Sequence, residues 1–465
     1  MSSPATCPVL ALPTEITAEI FLRCMPDPRG PYLFDQPHAY TYDRAKGYAV
    51  GYRPGIRGDI WVRPPPQLTL IKVCRLWRDI ALGTPALWAE LRLNDTRGGY
   101  RSVAVLAGAA AWLARAGDCP LTVSIRSHSY DDAPFLELLQ RHSSMMRAVD
   151  LELLTHKFEN MLKTGPWGFP MLRTLSLWRY DADYTDLPAV PIPVFVPLLR
   201  ELFMSQWRPG VEIIGIPWNQ LTDLTASHYS IDDCLSVLRG TPNLVQCRLS
   251  VFSRHGNPIG RWGSAGPHTR AVTLPHLRAL TIYKNVGNEG EEAGSADILD
   301  FLTLPALHTL RIFDNAQNAL VLNELLAHST PPLHTLAIHQ YRRKSDIPGG
   351  TRLAVSALAM LPTLARLEIW RPTREFAATL FEDVFARGGE RALLPRLHTL
   401  ALWGCSLNVA ELTEQGIFHV EEDNFERKEW AKGFGGALAI EEALLKLKSL
   451  ASDGLEVIVE DKRRA

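Results

Sequence analysis

Fourteen histidines and seven cysteines are the residues of this chain best suited to bind a metal or to serve as base and nucleophile. Their spacing supports neither role. Cys7, Cys24, Cys74, Cys119, Cys234, Cys247 and Cys405 contain no CxxC pair. Their odd number and wide separation argue against a disulfide framework and for a reducing compartment. No histidine pairs with another at i+3 or i+4 beside a carboxylate, so no metal site is expected. Phosphate-loop, dinucleotide, zinc-protease and nucleophile-elbow motifs are absent, and the glycine-rich residues 260–266 (GRWGSAG) and 433–436 (GFGG) lack the spacing of a phosphate cradle. No catalytic residue and no cofactor are expected, and the chain reads as a non-enzyme.

Three of the histidines, His308, His334 and His398, stand in one recurring phrase, LHTL, which points to a repeat. The full phrase is Pro-x-Leu-x-x-Leu-x-(Leu/Ile). It reads PMLRTLSL from Pro170, PLLRELFM from Pro197, PNLVQCRL from Pro242, PHLRALTI from Pro275 and PALHTLRI from Pro305. It continues as PPLHTLAI from Pro331, PTLARLEI from Pro362 and PRLHTLAL from Pro395, with a looser copy from Pro217. Degenerate copies precede it at residues 119–125 and 147–153, and residues 455–459 (LEVIV) read as a last strand. The spacing, about 28 residues on average, and the LxxLxL core are the signature of leucine-rich repeats. The last two apolar positions alternate along a short strand and point inward. Proline precedes the strand, where no ladder N–H is needed. Residues 231–239, 296–302, 320–327, 354–361 and 374–387 carry apolar residues at helical spacing and read as the intervening helices. Residues 252–271 and 285–295 read as loops, and residues 410–429 as an acidic segment.

The N-terminus follows a different pattern. Residues 12–28, LPTEITAEIFLRCMPDP, place Ile16, Ile20 and Phe21 on a helix with proline at its start. Residues 68–93 read LTLIKVCRLWRDIALGTPALWAELRL. Leu70, Val73, Cys74, Trp77, Ile80 and Ala81 share one face of a second helix, and Leu87-Trp88 begins a short third one. LPTEI with VCRLWRDIA and TPALW resembles the F-box motif. With the repeats, the chain resembles the F-box, leucine-rich-repeat-like proteins of mushroom-forming fungi. Residues 29–66 separate the two halves of the motif, lack helical or strand periodicity, and read as an inserted loop rich in tyrosine, glycine and proline. Domains are accordingly expected at 10–93 (F-box with insertion 29–66), 94–118 (linker helix) and 119–460 (solenoid). The expected fold class is α/β: a small three-helix module followed by a solenoid of parallel strands and helices.

The resemblance implies the substrate-recognition subunit of an SCF-type cullin–RING ubiquitin ligase, with ubiquitination chemistry left to other subunits. Its F-box would dock on a Skp-type adaptor, and through it on cullin. By motif position, Leu12, Pro13, Ile16, Ile20, Val73, Cys74, Trp77, Ile80, Leu87 and Trp88 would form that contact. The residues themselves allow a second reading, in which some of these pack inside the module, and an alternative role as a repeat scaffold outside any ligase. Lys+Arg of 49 against Asp+Glu of 50 excludes a strongly basic nucleic-acid binder. No signal peptide or bilayer-spanning stretch is evident, so cytoplasm or nucleus is expected. Strand parity turns the residue after each last apolar position outward, giving Trp178, Ser205, Ser227, Ser250, Tyr283, Phe313, His339, Trp370 and Trp403. Its aromatic members, Trp178, Tyr283, Phe313, Trp370 and Trp403, are expected to be exposed and to grip an unknown protein target, unless edge loops bury them.

Overall fold

The computed structural model describes residues 12–25, 41–43, 48–50, 65–95, 103–127, 133–153, 167–179, 192–205, 213–214, 216–229, 231–251, 271–284, 295–313, 318–339, 358, 360–370, 394–405 and 456–461. The class is α/β with parallel strands dominant. Two compact units divide between Leu221 and Thr222, the second also taking in the short hairpin of Thr41–Asp43 on Tyr48–Val50. That hairpin lies inside the stretch expected to be a featureless loop. Three-residue strands are too short to leave a periodic signature.

The recurring phrase builds the same turn at most of its copies; at Pro331 the Leu333 N–H instead reaches Pro331 O at 2.8 Å, and after Pro217 a 3-10 turn, Trp218–Gln220, takes its place. The residue before proline, the proline, the variable residue and the first leucine form a β-turn with proline at its second position. The leucine N–H donates back across it, from Leu172 to Phe169, Leu199 to Val196, Leu277 to Leu274, Leu307 to Leu304 and Leu364 to Leu361, at 3.1–3.4 Å. Proline therefore fixes a turn rather than merely vacating a strand position. At seven of the nine copies the residue before it, unremarked in the sequence pattern, is an apolar core residue: Phe169, Val196, Ile216, Leu274, Leu304, Leu361 and Leu394 are buried, whereas Thr330 is exposed. After the turn, the residue following the leucine offers one carbonyl to two N–H groups of the next repeat. Arg173 O receives Arg200 N and Glu201 N, both at 2.9 Å, and His334 O receives Ala365 N and Arg366 N, both at 2.9 Å.

In the first unit the strands β1 (Glu90–Asp95), β2 (Leu121–Ser127), β3 (Met146–Leu153), β4 (Thr174–Arg179) and β5 (Glu201–Ser205) pair in that order, all parallel. The sheet thus starts at Glu90, ahead of the first degenerate phrase. Helices α1 (Thr14–Arg23), α2 (Pro66–Val73) and α3 (Arg75–Leu82) precede it, followed by a 3-10 turn at Pro85–Trp88. Helix α4 (Val103–Ala116) links β1 to β2 and buries Ala109, Leu113 and Ala116; α5 (Ala133–Arg141) links β2 to β3 and buries Leu136, Leu138 and Leu139. Later repeats depart from one strand plus one helix. Trp167–Gly168, Ile192–Phe195 and Ile213–Ile214 form a second, narrow parallel ladder just ahead of the turns.

The second unit stacks β6 (Asp223–Tyr229), β7 (Gln246–Val251), β8 (Ala279–Lys284), β9 (Thr309–Phe313), β10 (Thr335–His339), β11 (Arg366–Trp370), β12 (Thr399–Cys405) and β13 (Glu456–Asp461), again in chain order and parallel. Register matches the repeat: Leu280, Leu310, Leu336, Leu367 and Leu400 are Cα partners in sequence and all buried. Helix α6 (Ile231–Gly240) carries Asp232 and Asp233 in its first turn and Arg239 in its last, which suits the helix dipole. Helix α7 (Asn318–Ser329) covers the expected 320–327 segment, whereas 296–302 is a 3-10 helix, Ser295–Phe301. Side chains of α7 complete a narrow two-stranded ladder of Val272–Thr273 and Leu302–Thr303: Ser329 Oγ accepts Leu304 N–H at 3.0 Å, and His328 Nε2 lies 2.8 Å from Leu302 O. Most of the expected helix 354–361, and all of 374–387, lie outside the described residues, as do nearly all of the loops 252–271 and 285–295 and the whole acidic segment 410–429.

Because Leu310 is fully enclosed and lies between two other rungs of its column, Leu310→Ala is expected to destabilise the protein by about 2–5 kcal/mol. Urea unfolding followed by circular dichroism measures this as a lowered midpoint.

Candidate docking surfaces

Helix α1 has two unlike faces. Thr17 and Phe21, four residues apart, are buried, while Ile16 and Ile20, also four apart, are exposed with Leu12 and Pro13 ahead of them. Pro13 opens the helix; its carbonyl accepts both Thr17 N–H at 3.0 Å and Thr17 Oγ1 at 3.2 Å. Phe21 meets Trp77 of α3 edge to face, with ring centroids 5.0 Å apart.

The apolar face from residue 68 to the break at Thr84-Pro85 predicts one helix, where the structure has two, α2 and α3, and α2 starts at Pro66, the last residue of the expected loop. Cys74 is extended (φ −155°, ψ 173°) and its Sγ accepts the Trp77 N–H at 3.4 Å, capping α3. Arg78 N–H donates to Cys74 O at 3.0 Å and Arg78 Nε to Ile71 O at 2.8 Å, which ties the two helices across the break. Beneath lies an aromatic anchor. Trp88 is buried; its Nε1 donates to Ala81 O at 2.8 Å, its ring meets Trp112 of α4 at 4.7 Å, and the Arg115 guanidinium sits 5.0 Å from its centre. Trp112 Nε1 donates to Glu90 O at 3.0 Å, and buried Gln67 donates from Nε2 to Leu87 O at 2.9 Å.

The ten residues expected at the adaptor contact therefore separate. Leu12, Pro13, Ile16, Ile20 and Val73 are exposed, Ile16 at 50% and Val73 at 55%. Cys74 and Trp77 are half-buried. Ile80, Leu87 and Trp88 are buried inside the module and act as its core, as the second reading of the residues allowed. Two exposed apolar residues of α3, Leu76 and Leu82, were missed. A single helix through Cys74 assigns them the wrong phase, and a thiol is not among the usual capping groups that mark a break.

On the outward face of the sheets, the column expected to be an exposed aromatic ladder is enclosed wherever its side chains are described. Trp178 is 8% exposed and Tyr283 2%, and Ser205, Ser227 and Ser250 are buried as well. Trp178 Nε1 donates to Ser176 Oγ at 2.6 Å. Strand parity turns these residues away from the leucine columns but does not make them accessible. Neighbouring rungs stand only ~4.8 Å apart, and Ser250 is held between Ser227 and Tyr283 in register. The backbones of Phe313, Trp370 and Trp403 continue the column, Phe313 opposite Tyr283 and Trp370 opposite Trp403; their side chains lie outside the described residues. Next to this column run polar cross-strand bonds: Ser124 Oγ to Asp150 at 2.9 Å, Thr174 Oγ1 to Glu201 at 2.9 Å and Thr399 Oγ1 to Glu456 at 2.8 Å.

Among the described residues no group of three His, Cys, Asp or Glu side chains could hold a metal ion. His308 and His334 stack face to face, centroids 5.2 Å apart, as neighbours in the repeat. Burial pushes the Cys247 thiol up to about 12 and raises that of Cys234 as well, so neither is a thiolate nucleophile near neutral pH. No helix among the described residues is long and apolar enough to cross a membrane. Compared with known proteins, the chain matches no family model and no curated protein.

The two faces of the module predict opposite responses. Trp88→Ala is expected to cost about 3–5 kcal/mol, whereas Ile16→Ser should stay within ~0.5 kcal/mol. Thermal unfolding of the two variants beside the parent protein reads the difference.

Proposed function

We propose that this protein is a non-catalytic substrate-recognition subunit of an SCF-type cullin–RING ubiquitin ligase, in which the N-terminal module binds a Skp-type adaptor and the repeats hold a target protein. The observation that carries this reading is the exposed apolar surface of Leu12, just ahead of α1, and Ile16 and Ile20 on it, with Val73, Leu76 and Leu82 on α2 and α3. The module has its own filled interior in Phe21, Ile80, Leu87 and Trp88, so these outer residues are not needed to complete it. Large apolar side chains left in water at this density mark a binding surface. Four of these residues, Leu12, Ile16, Ile20 and Val73, are among the positions by which the chain resembles the F-box motif.

Such a subunit needs no reactive side chain. It raises the effective concentration of the target near the ligase, and ubiquitin transfer follows from proximity. The target would lie on the repeats. Phe313, Trp370 and Trp403 are the proposed contacts; Trp178 and Tyr283 are enclosed and cannot reach a target.

Ile16→Ser with Ile20→Ser, and separately Leu12→Ala with Pro13→Ala, should weaken capture of a purified Skp-type adaptor more than about tenfold, each exposed anchor contributing on the order of 1–2 kcal/mol. Biolayer interferometry with full-length protein measures this. Equal adaptor affinity of parent and variants, or no binding by the parent, overturns the proposal.

A further inference from the structure

The repeat array supplies its own internal reference. Each turn has a variable third position between proline and leucine. In the second unit it is Asn243, His276, Ala306, Pro332, Thr363 and Arg396, none of them a long aliphatic or aromatic side chain. At two turns this side chain binds the preceding repeat: Thr363 Oγ1 donates to Leu333 O at 2.8 Å, and in the first unit Gln220 Nε2 donates to Leu199 O at 3.0 Å. At two consecutive turns of the first unit the position is instead Met171, 42% exposed, and Leu198, 48% exposed. Neither can make that bond. Phe195, three residues before Leu198 in the narrow ladder, is 63% exposed, and its carbonyl accepts Phe169 N–H beside the Met171 turn.

A second feature coincides with this one. The position after each leucine, or after Met146 in the earliest of these rungs, is Thr222, Val245, Arg278, His308, His334, Ala365 and His398 in the second unit, with charge and neutrality mixed. In the first unit it is arginine on three successive rungs. Arg147, Arg173 and Arg200 are all exposed, and the backbone bonds Arg173 N to Arg147 O and Arg200 N to Arg173 O make them direct neighbours. Arg200 Nη1 also donates to Gln220 O at 2.9 Å, which fixes it at this edge. Like charges on neighbouring backbone segments repel, and exposed apolar side chains beside them gain nothing for the fold. Both costs are offset if something anionic and apolar covers the edge.

We infer that the turn edge of the first unit, formed by Arg147, Arg173 and Arg200 with Met171, Phe195 and Leu198, is a docking surface for an acidic polypeptide segment of a partner protein that carries apolar side chains. Guanidinium groups pair bidentately with carboxylates, and methionine and leucine accept aliphatic groups. The occupant is a peptide rather than a nucleic acid. Two of the three apolar residues are aliphatic and offer no stacking platform, and the chain has no basic excess, with a net charge of −1. This surface is distinct in residues from the adaptor face of the module, and the inference does not rest on the ligase reading.

The test uses full-length protein and a fluorescein-labelled synthetic peptide alternating glutamate and leucine, followed by fluorescence anisotropy. A lysine–leucine peptide and an oligouridylate of equal length run beside it. The glutamate–leucine peptide should bind saturably and the other two should not. Affinity should fall about tenfold in Arg147→Gln/Arg173→Gln/Arg200→Gln, and by a similar factor in Met171→Ser/Leu198→Ser. It should be retained in the triple arginine-to-lysine variant and in Ile16→Ser/Ile20→Ser. In the parent protein, where folding of a variant is not in question, the peptide should slow hydrogen exchange at residues 169–173 and 195–200. Absence of binding, protection confined to other segments, undiminished affinity in either loss variant, or oligouridylate binding indifferent to Met171 and Leu198 would overturn the inference.

Discussion

One turn holds most of the repeats in place. Proline fixes φ at the second position of the β-turn, the leucine N–H closes it, and the next carbonyl takes two donors from the following repeat. Register between strands is therefore set before the strands begin. Because the turn also buries the residue ahead of proline and the leucine after it, each repeat meets its neighbour through three or four apolar side chains in fixed columns. No repeat can bury these alone, and stability within each unit is shared between nearest neighbours. Loss of one column member, such as Leu310, is consequently felt by the rungs on both sides.

Much of this was legible in the sequence because it rests on short-range spacing. The LxxLxL phrase located β4 to β12, and the degenerate phrases located β2, β3 and β13. Leu172, Leu175 and Leu177 and their equivalents are core as the pattern implies. What was not legible has identifiable causes. The narrow second ladder consists of two- to four-residue strands, below the length at which alternation is visible. The break at Cys74 depends on a thiol accepting a backbone N–H at 3.4 Å, a cap with no compositional mark. The enclosure of Trp178 and Tyr283 depends on packing between rungs, which parity alone does not report.

The N-terminal module shows the same limit from the other side. Motif position drew together residues that the structure divides between an interior and an exposed face, and it left out Leu76 and Leu82. Phe21, Ile80, Leu87 and Trp88 turn inward because Trp112, Ala81 and Gln67 meet them there; Ile16, Ile20 and Val73 turn outward because the interior is already full. That division is what gives the module a rigid body and a separate apolar surface, the two things a docking element needs.

The central claim, that the outer face of α1 to α3 is the adaptor contact, is tested most directly by hydrogen exchange on the full-length protein with and without a Skp-type adaptor bound to cullin. The account predicts a stable complex in which exchange slows across residues 14–23 and 66–82, while the strands of the second unit exchange as before. A complex that protects only the repeats, or failure of the adaptor to associate at all, would contradict it.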